Sequence, residues 1–154
     1  MNTPRLDHVC VVVDDLDEAT EFFLDLGFER DGATTAEGEA VDKINGLEGV
    51  RAEIVMVRAP DRSGKLELVK YLSPPDTEGA QPAPANRVGF RHIAIEVNGL
   101  DSILDGLRDK GFDTVGEVCE YGNVYRLCYV RGPEGVIVEL AERIPSGAGD
   151  LGIG

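Results

Sequence analysis

The chain contains only two histidines, His8 and His92, and each lies at the start of an apolar run. Two glutamates, Glu67 and Glu139, lie inside the apolar stretches K-L-E-L and I-V-E-L. Imidazole nitrogens and carboxylate oxygens are ligands for divalent transition metals such as Zn, Ni, Co and Fe. A carboxylate among apolar side chains is costly unless a partner or a metal compensates it. These four residues are therefore candidate metal ligands, and water in the remaining positions would suit a catalytic metal.

An internal repeat relates the two histidines. Residues 6–28 align without a gap on residues 90–112, which lie 84 positions later. Repeats of this kind indicate duplicated structural units. The two histidines therefore occupy equivalent positions. The identical pairs are His8/His92, Val13/Val97, Leu16/Leu100, Asp17/Asp101, Asp25/Asp109, Gly27/Gly111 and Phe28/Phe112.

The glutamates are related by later parts of the same repeat. V-R-A-P-D at 57–61 matches V-R-G-P-E at 130–134, and K-L-E-L at 65–68 matches I-V-E-L at 137–140. This pairs Glu67 with Glu139. Two related halves that pack about a pseudo-twofold axis bring equivalent residues together at that axis. We therefore expect the two imidazoles and two carboxylates to converge.

Each half shows a β-α-β-β-β pattern. Asp15 and Glu18 form a predicted N-cap and capping box for the first helix, and Gly27 is a typical stop. The pattern predicts an α+β fold of two tandem βαβββ modules. In the first half, the predicted strands are near 6–13, 28–34, 51–58 and 65–72. In the second half, they are near 90–97, 112–120, 124–131 and 136–142, and a helix is predicted over 100–110.

The predicted organisation is a single domain with two modules. The first module covers 1–72 and carries an insertion at about 35–49, with a short helix near 39–46. Residues 73–89 form a proline-rich linker, because proline lacks the N–H that a sheet requires. The second module covers 90–143, and the Gly-rich residues 144–154 are predicted to be a flexible tail.

The composition argues against several classes of binding partner. The net charge of -14 opposes binding to nucleic acids and to anionic membranes. No apolar run reaches the roughly 18–20 residues of a membrane span, and the N-terminus has no signal-peptide core, so we predict a cytoplasmic protein. The three cysteines form no C-x-x-C motif, which argues against a zinc ribbon or a disulfide framework. A small molecule remains the expected partner.

Several motifs resemble the vicinal oxygen chelate superfamily, the glyoxalase/bleomycin resistance/extradiol dioxygenase group. They are L-D-H-V-x-V-x-V-D-D-L, G-K-L-E-L, F-R-H-I-A-I-E-V and R-G-P-E-G-V-I-V-E-L, and the resemblance runs from about Leu6 to Arg143. It implies curved mixed sheets that form a half-barrel around the metal, and a homodimer. It also implies one divalent transition metal (Ni, Co, Zn, Fe or Mn) held by His8, Glu67, His92 and Glu139.

The order His-Glu-His-Glu resembles that of glyoxalase I enzymes and is close to that of methylmalonyl-CoA epimerases. Both transfer a proton next to a carbonyl. The resemblance therefore implies a metal-dependent lyase or isomerase that acts on a small molecule with vicinal oxygens. Glu139 is the first choice for the catalytic base, and Glu67 is its counterpart.

Two alternatives stay open. An Fe(II) extradiol dioxygenase needs two histidines and one carboxylate as iron ligands. His8, His92 and Glu139 would supply them. Glu67 argues against this alternative, because a fourth ligand would occupy a position needed for O2 or substrate. Such enzymes also tend to use a further His or Tyr, for which Tyr121, Tyr125 and Tyr129 are available.

A drug-binding protein of the bleomycin resistance type fits the acidic charge, but the absence of Trp and an aromatic fraction of 6% do not favour it.

Three further residues are candidates for substrate binding. Glu53 interrupts a strand that we expect to line the cleft, and it is also a secondary candidate base. Arg126 could bind an anionic group of the substrate. Cys10 shares a strand face with His8, since side chains two residues apart point the same way.

Overall fold

The computed structural model describes residues 3–145. The chain has an α+β fold with two mixed sheets, which confirms the predicted fold class. It divides into two compact units, Met1–Gly79 and Ala80–Gly154, and the boundary falls within the segment predicted as a linker. From residue 146 onwards, the predicted flexible tail lies outside the described residues. No helix in the described part of the chain is long and apolar enough to span a membrane.

The first unit has a four-stranded sheet in the order β1-β4-β3-β2. Strand β1 is parallel to β4, and the other pairs are antiparallel. Helix α1 begins as predicted, because the Asp15 carboxylate accepts a hydrogen bond from the Glu18 amide at 3.0 Å. The elements are β1 (Val9–Val12), α1 (Leu16–Asp25), β2 (Glu29–Glu37), α2 (Glu39–Asn45), β3 (Arg51–Arg58) and β4 (Lys65–Ser73).

The two faces of β4 have different neighbours. Lys70 Nζ donates a hydrogen bond to the Asp14 carbonyl, just before α1, at 2.6 Å. Leu66 and Leu68 have the same strand parity as Lys70 and are buried, so this face is the one beneath α1. Glu67 has the opposite parity and therefore faces away from α1.

The predicted insertion contains α2, and four side-chain hydrogen bonds hold it: Asp42 accepts two from the backbone at its end, and β4 donates two. Both carboxylate oxygens of Asp42 accept backbone hydrogen bonds, from the Gly49 amide at 2.9 Å and from the Val50 amide at 2.8 Å. Tyr71 donates to Asn45 at 2.7 Å, and Ser73 donates to the Gly49 carbonyl at 2.6 Å. The insertion is thus closed on itself and fastened to the end of β4.

The second unit repeats this plan, with the order β5-β9-β8-β6 and β7 paired to β8. Strand β5 is parallel to β9. The prediction of one strand over 112–120 is wrong, since two short strands flank a gap that contains Gly116, and glycine weakens a strand interior. The elements are β5 (His92–Glu96), α3 (Leu100–Asp109), β6 (Asp113–Thr114), β7 (Cys119–Tyr121), β8 (Tyr125–Arg131) and β9 (Ile137–Arg143).

Glu142 shows which face of β9 lies beneath α3. Its Oε1 accepts hydrogen bonds from the Gly99 amide at 2.7 Å and the Leu100 amide at 3.2 Å, at the start of the helix. Gly99 has no side chain with which to cap α3, so Glu142 supplies the missing acceptor. Glu139 lies three residues away, and its side chain is therefore on the opposite face of β9.

Candidate functional site

The first unit brings His8 and Glu67 together. His8 directly precedes β1, and Glu67 lies in β4, whose Cα register pairs it with Cys10. The His8 Nε2 atom is 3.6 Å from Glu67 Oε2. The side chains are 36% and 26% exposed, respectively, so an ion can reach both from solvent.

The second unit brings His92 and Glu139 together in the same way. The His92 Nε2 atom is 3.6 Å from Glu139 Oε1. Glu139 is only 1% exposed, and its Oε2 is buried without a hydrogen-bond partner among the described residues. Burial raises the pKa of Glu139 above its ordinary value of 4.5, although His92 acts in the opposite direction.

The strand registers show that the sequence repeat is also a structural repeat. In the first unit, Glu67 is flanked by Cys10 on β1 and by Met56 on β3. In the second unit, Glu139 is flanked by Ala94 on β5 and by Tyr129 on β8. The two glutamates therefore occupy equivalent places, but one lies between sulfur-containing side chains and the other beside a tyrosine.

Each pair is chemically suited to a divalent metal. Each pair places an imidazole nitrogen and a carboxylate oxygen close enough to share a cation. In the described part of the chain, the buried Glu139 oxygen also lacks a partner that would offset its burial. Among residues 3–145, no group of three or more His, Cys, Asp and Glu side chains is arranged to hold a metal. The structure thus presents the candidate ligands as two pairs, and the convergence of all four remains a prediction.

Two contacts that orient the imidazoles were missed in the sequence. His8 Nδ1 is 2.8 Å from the Asp7 carboxylate. The hydrogen bond with His8, and then the Lys65 ammonium, lower the pKa of Asp7 below 3.8. The His92 ring instead lies against Tyr129, with ring centroids 4.9 Å apart and a tilt of 35°. The sequence offered two indications of these contacts: Asp7 directly precedes His8, and Tyr129 aligns with Met56 in the repeat.

Cys10 lies beside Glu67, on the face where strand alternation placed it. Burial, together with the neighbouring Glu67 carboxylate, raises the pKa of the Cys10 thiol to about 11. The thiol is therefore protonated at neutral pH and is a weak nucleophile. Its predicted contact with substrate remains a prediction.

Glu53 and Arg126 lie on the other faces of their sheets. Glu53 is three residues from Met56, and Arg126 is three residues from Tyr129, so neither shares a face with the candidate glutamate of its unit. Arg126 binds Asp101 at 2.9 Å and Glu142 at 3.4 Å, at the start of α3. The geometry gives Arg126 a structural role and gives no support to substrate binding by either residue.

Comparison with known proteins identifies relatives that match most of the chain. The sequence model of the glyoxalase/bleomycin resistance protein/dioxygenase superfamily matches residues 5–140. A glyoxalase family protein from Bacillus cereus is 37% identical, with a TM-score of 0.88, and the match covers 94% of this chain and 97% of that one. A search of the curated proteins finds no match.

Two more distant structures share the fold. The trypanothione-dependent glyoxalase I of Leishmania major is 20% identical, with a TM-score of 0.61, and the match covers 91% of this chain and 87% of that one. A variant of the fosfomycin resistance protein FosX from Listeria monocytogenes was solved with Mn(II) and 1S,2S-dihydroxypropylphosphonic acid. It is 14% identical, with a TM-score of 0.59, and the match covers 97% of this chain and 94% of that one.

Proposed function

Because the chain belongs to the glyoxalase/bleomycin resistance protein/dioxygenase superfamily, we propose that it is a metal-dependent lyase or isomerase of the glyoxalase I or epimerase type. Its substrate is a small molecule with two adjacent oxygens, and the reaction moves a proton at the carbon next to a carbonyl. The observation that carries this proposal is the buried Glu139, which lies beside His92 and has one oxygen without a partner among the described residues.

His8, Glu67, His92 and Glu139 would hold one divalent transition metal, with Ni, Co, Zn, Fe and Mn as the candidates. When bound, such an ion polarises the substrate carbonyl and stabilises the negative charge that develops as the proton leaves. The donor chemistry of the two pairs supports this assignment, as does the Mn(II) in the FosX complex.

The difference between the two glutamates indicates which one moves the proton. Glu139 is almost completely buried, and burial raises its pKa above the ordinary value. A raised pKa favours a carboxyl group as an acid–base catalyst, because such catalysts work best when the pKa lies near the working pH. Glu67 is 26% exposed. We therefore assign proton transfer to Glu139, in addition to its place among the four metal ligands, and we assign metal binding alone to Glu67 and the two histidines.

Deuterium incorporation tests this function. Protein loaded with each candidate metal is incubated in D2O with hemithioacetals of 2-oxoaldehydes and with 2-methyl-branched thioesters, and deuterium at the carbon next to the carbonyl is measured by NMR. Glu139→Gln should reduce the rate about 10²- to 10⁴-fold. Glu29→Gln, the same change at an exposed position of β2, is the matched control. The proposal would be rejected if neither product formation nor deuterium incorporation occurred with any metal and either substrate class.

Ring-cleaving dioxygenase activity is the second candidate, and Tyr129 is the observation that favours it. The tyrosine lies against His92 and directly across from Glu139, which is where an additional acid–base group would be useful. Oxygen consumption with catechols by the Fe(II)-loaded protein separates this reaction from proton transfer. Consumption of O2 without deuterium incorporation would favour the dioxygenase.

A further inference from the structure

The residues that precede the two equivalent histidines carry opposite charges. His8 follows Asp7, whereas His92 follows Arg91. Asp7 Oδ2 is 2.8 Å from His8 Nδ1. Among the residues that the structure describes, the only carboxylate that pairs with His92 is Glu139, on its Nε2 side.

The Asp7 contact determines which nitrogen of His8 carries the proton. An ionised carboxylate can only accept hydrogen bonds, so His8 Nδ1 must be the donor. In the neutral ring this leaves a free lone pair on Nε2, the atom that lies 3.6 Å from Glu67. That is the tautomer a metal ligand requires when Nε2 binds the ion.

Two cations hold the Asp7 carboxylate. Lys65 Nζ is 3.4 Å from Asp7 Oδ2, and Arg5 is 3.1 Å from Asp7 Oδ1. Lys65 is two residues from Glu67, so both side chains are on the same face of β4. The carboxylate thus remains charged and directed at His8.

We propose that Asp7 is a positioning residue that holds His8 in its Nδ1–H tautomer and thereby sets the affinity of the His8–Glu67 pair for a divalent cation. This inference rests on the proposed metal centre. In the second unit, the equivalent residue Arg91 cannot accept a hydrogen bond from His92 Nδ1, so it cannot fix the tautomer of His92 in this way. The His92 imidazole is held by the Tyr129 ring instead, so the two equivalent pairs are oriented by different forces.

The tautomer is measured first, on metal-free protein, by long-range ¹⁵N–¹H correlation at a pH where the imidazoles are neutral. In the wild type, we expect His8 to be protonated on Nδ1. Asp7→Ala should shift His8 toward the Nε2–H form, whereas Asp7→Asn should retain the Nδ1–H form, because its amide oxygen still accepts. Asp14→Asn removes one negative charge at the other end of β1 and is the matched control, and His92 is an internal reference.

Zn²⁺ affinity is measured next, by competition with a chromophoric chelator. Loss of such an outer partner typically weakens metal binding about 10- to 100-fold, which we expect for Asp7→Ala but not for Asp14→Asn. An unchanged His8 tautomer in Asp7→Ala, or affinity within twofold of the wild type, would overturn the inference. If the wild type binds no Zn²⁺, the proposed metal centre fails together with the affinity claim, and the NMR result alone decides whether Asp7 sets the tautomer.

Discussion

Tyr129 lies directly across from Glu139 in the pairing of β8 with β9. Its ring also contacts His92, so a single aromatic side chain adjoins both members of the second pair. Met56 holds the equivalent position next to Glu67. The two units therefore share a backbone plan but differ in the side chain that supports the candidate ligands.

Removal of the Tyr129 ring should weaken metal binding. An aromatic contact contributes about 0.5–1.5 kcal/mol beyond its buried area, which corresponds to roughly a 2- to 10-fold loss of Zn²⁺ affinity in Tyr129→Leu. Tyr129→Phe keeps the ring and should bind as the wild type does, and Met56→Leu is the matched control in the first unit. If Tyr129→Phe lost as much affinity as Tyr129→Leu, the hydroxyl group and not the ring contact would be responsible.

Glu139 should reduce the stability of the metal-free protein. Within the part of the chain that the structure describes, a buried carboxyl oxygen of Glu139 has no partner. Glu139→Leu should therefore increase the free energy of unfolding by about 1–3 kcal/mol in urea titrations made without metal. Zn²⁺ should raise the melting temperature of the wild type but not of the variant, because only a ligand that binds the native state stabilises it. Glu67→Leu, at the more exposed equivalent position, should gain less. A loss of stability in metal-free Glu139→Leu would contradict this account.

The ion pair between Asp101 and Arg126 predicts a pH dependence of stability. The Arg126 guanidinium holds the pKa of Asp101 below its ordinary value of 3.8. A carboxylate with a lowered pKa in the folded state stabilises the fold above the unfolded pKa, and this contribution is lost as the pH falls through the folded pKa. The stability advantage of the wild type over Asp101→Asn should therefore be constant from neutral pH to about pH 5 and should disappear on further acidification.

Urea titrations across this pH range measure that difference. Asp105→Asn, at an exposed position of the same helix, is the matched control for the change in charge. If the difference in the free energy of unfolding between the wild type and Asp101→Asn grew as the pH fell below 3.8, the ion pair would not be what stabilises the start of α3.

Asp42 should control the stability of the inserted segment. Its carboxylate accepts two backbone hydrogen bonds, and the Val50 amide that donates one of them belongs to a buried residue. Asp42→Ala should lower the free energy of unfolding by about 1–3 kcal/mol and should accelerate hydrogen exchange at the Gly49 and Val50 amides. Lys43→Gln, on the same helix, should leave both unchanged. Wild-type exchange rates at these two amides in Asp42→Ala would refute this role.

The sequence repeat was sufficient to predict which residues of the two units occupy equivalent positions. Residues that align at three different offsets, Cys10 with Ala94, Glu67 with Glu139 and Met56 with Tyr129, occupy matching positions in the two sheets. Insertions between strands change the offset but not the pairing. The repeat therefore predicted that the two histidines are equivalent and that the two glutamates are equivalent. The contact between each histidine and the glutamate of its own unit is a finding of the structure.

The side-chain contacts could not be predicted in the same way. Glu53 and Arg126 lie in strands of the predicted sheets, but the face each one occupies depends on a register that the sequence does not specify. The difference in burial between Glu67 and Glu139 depends on what packs around each of them, and the local sequences K-L-E-L and I-V-E-L are nearly alike. The Asp7–His8 contact depends on a side-chain rotamer.

Under the proposed function, the unequal burial of Glu67 and Glu139 has a stereochemical consequence. If the buried carboxylate alone removes and returns the proton, both events occur on the same side of the substrate's planar carbon. A glyoxalase-type reaction would then give a product of one handedness. An epimerase needs two groups on opposite sides, so Glu67 would have to take part as well. The enantiomeric purity of the product would thus report how far the two halves of a duplicated protein have diverged.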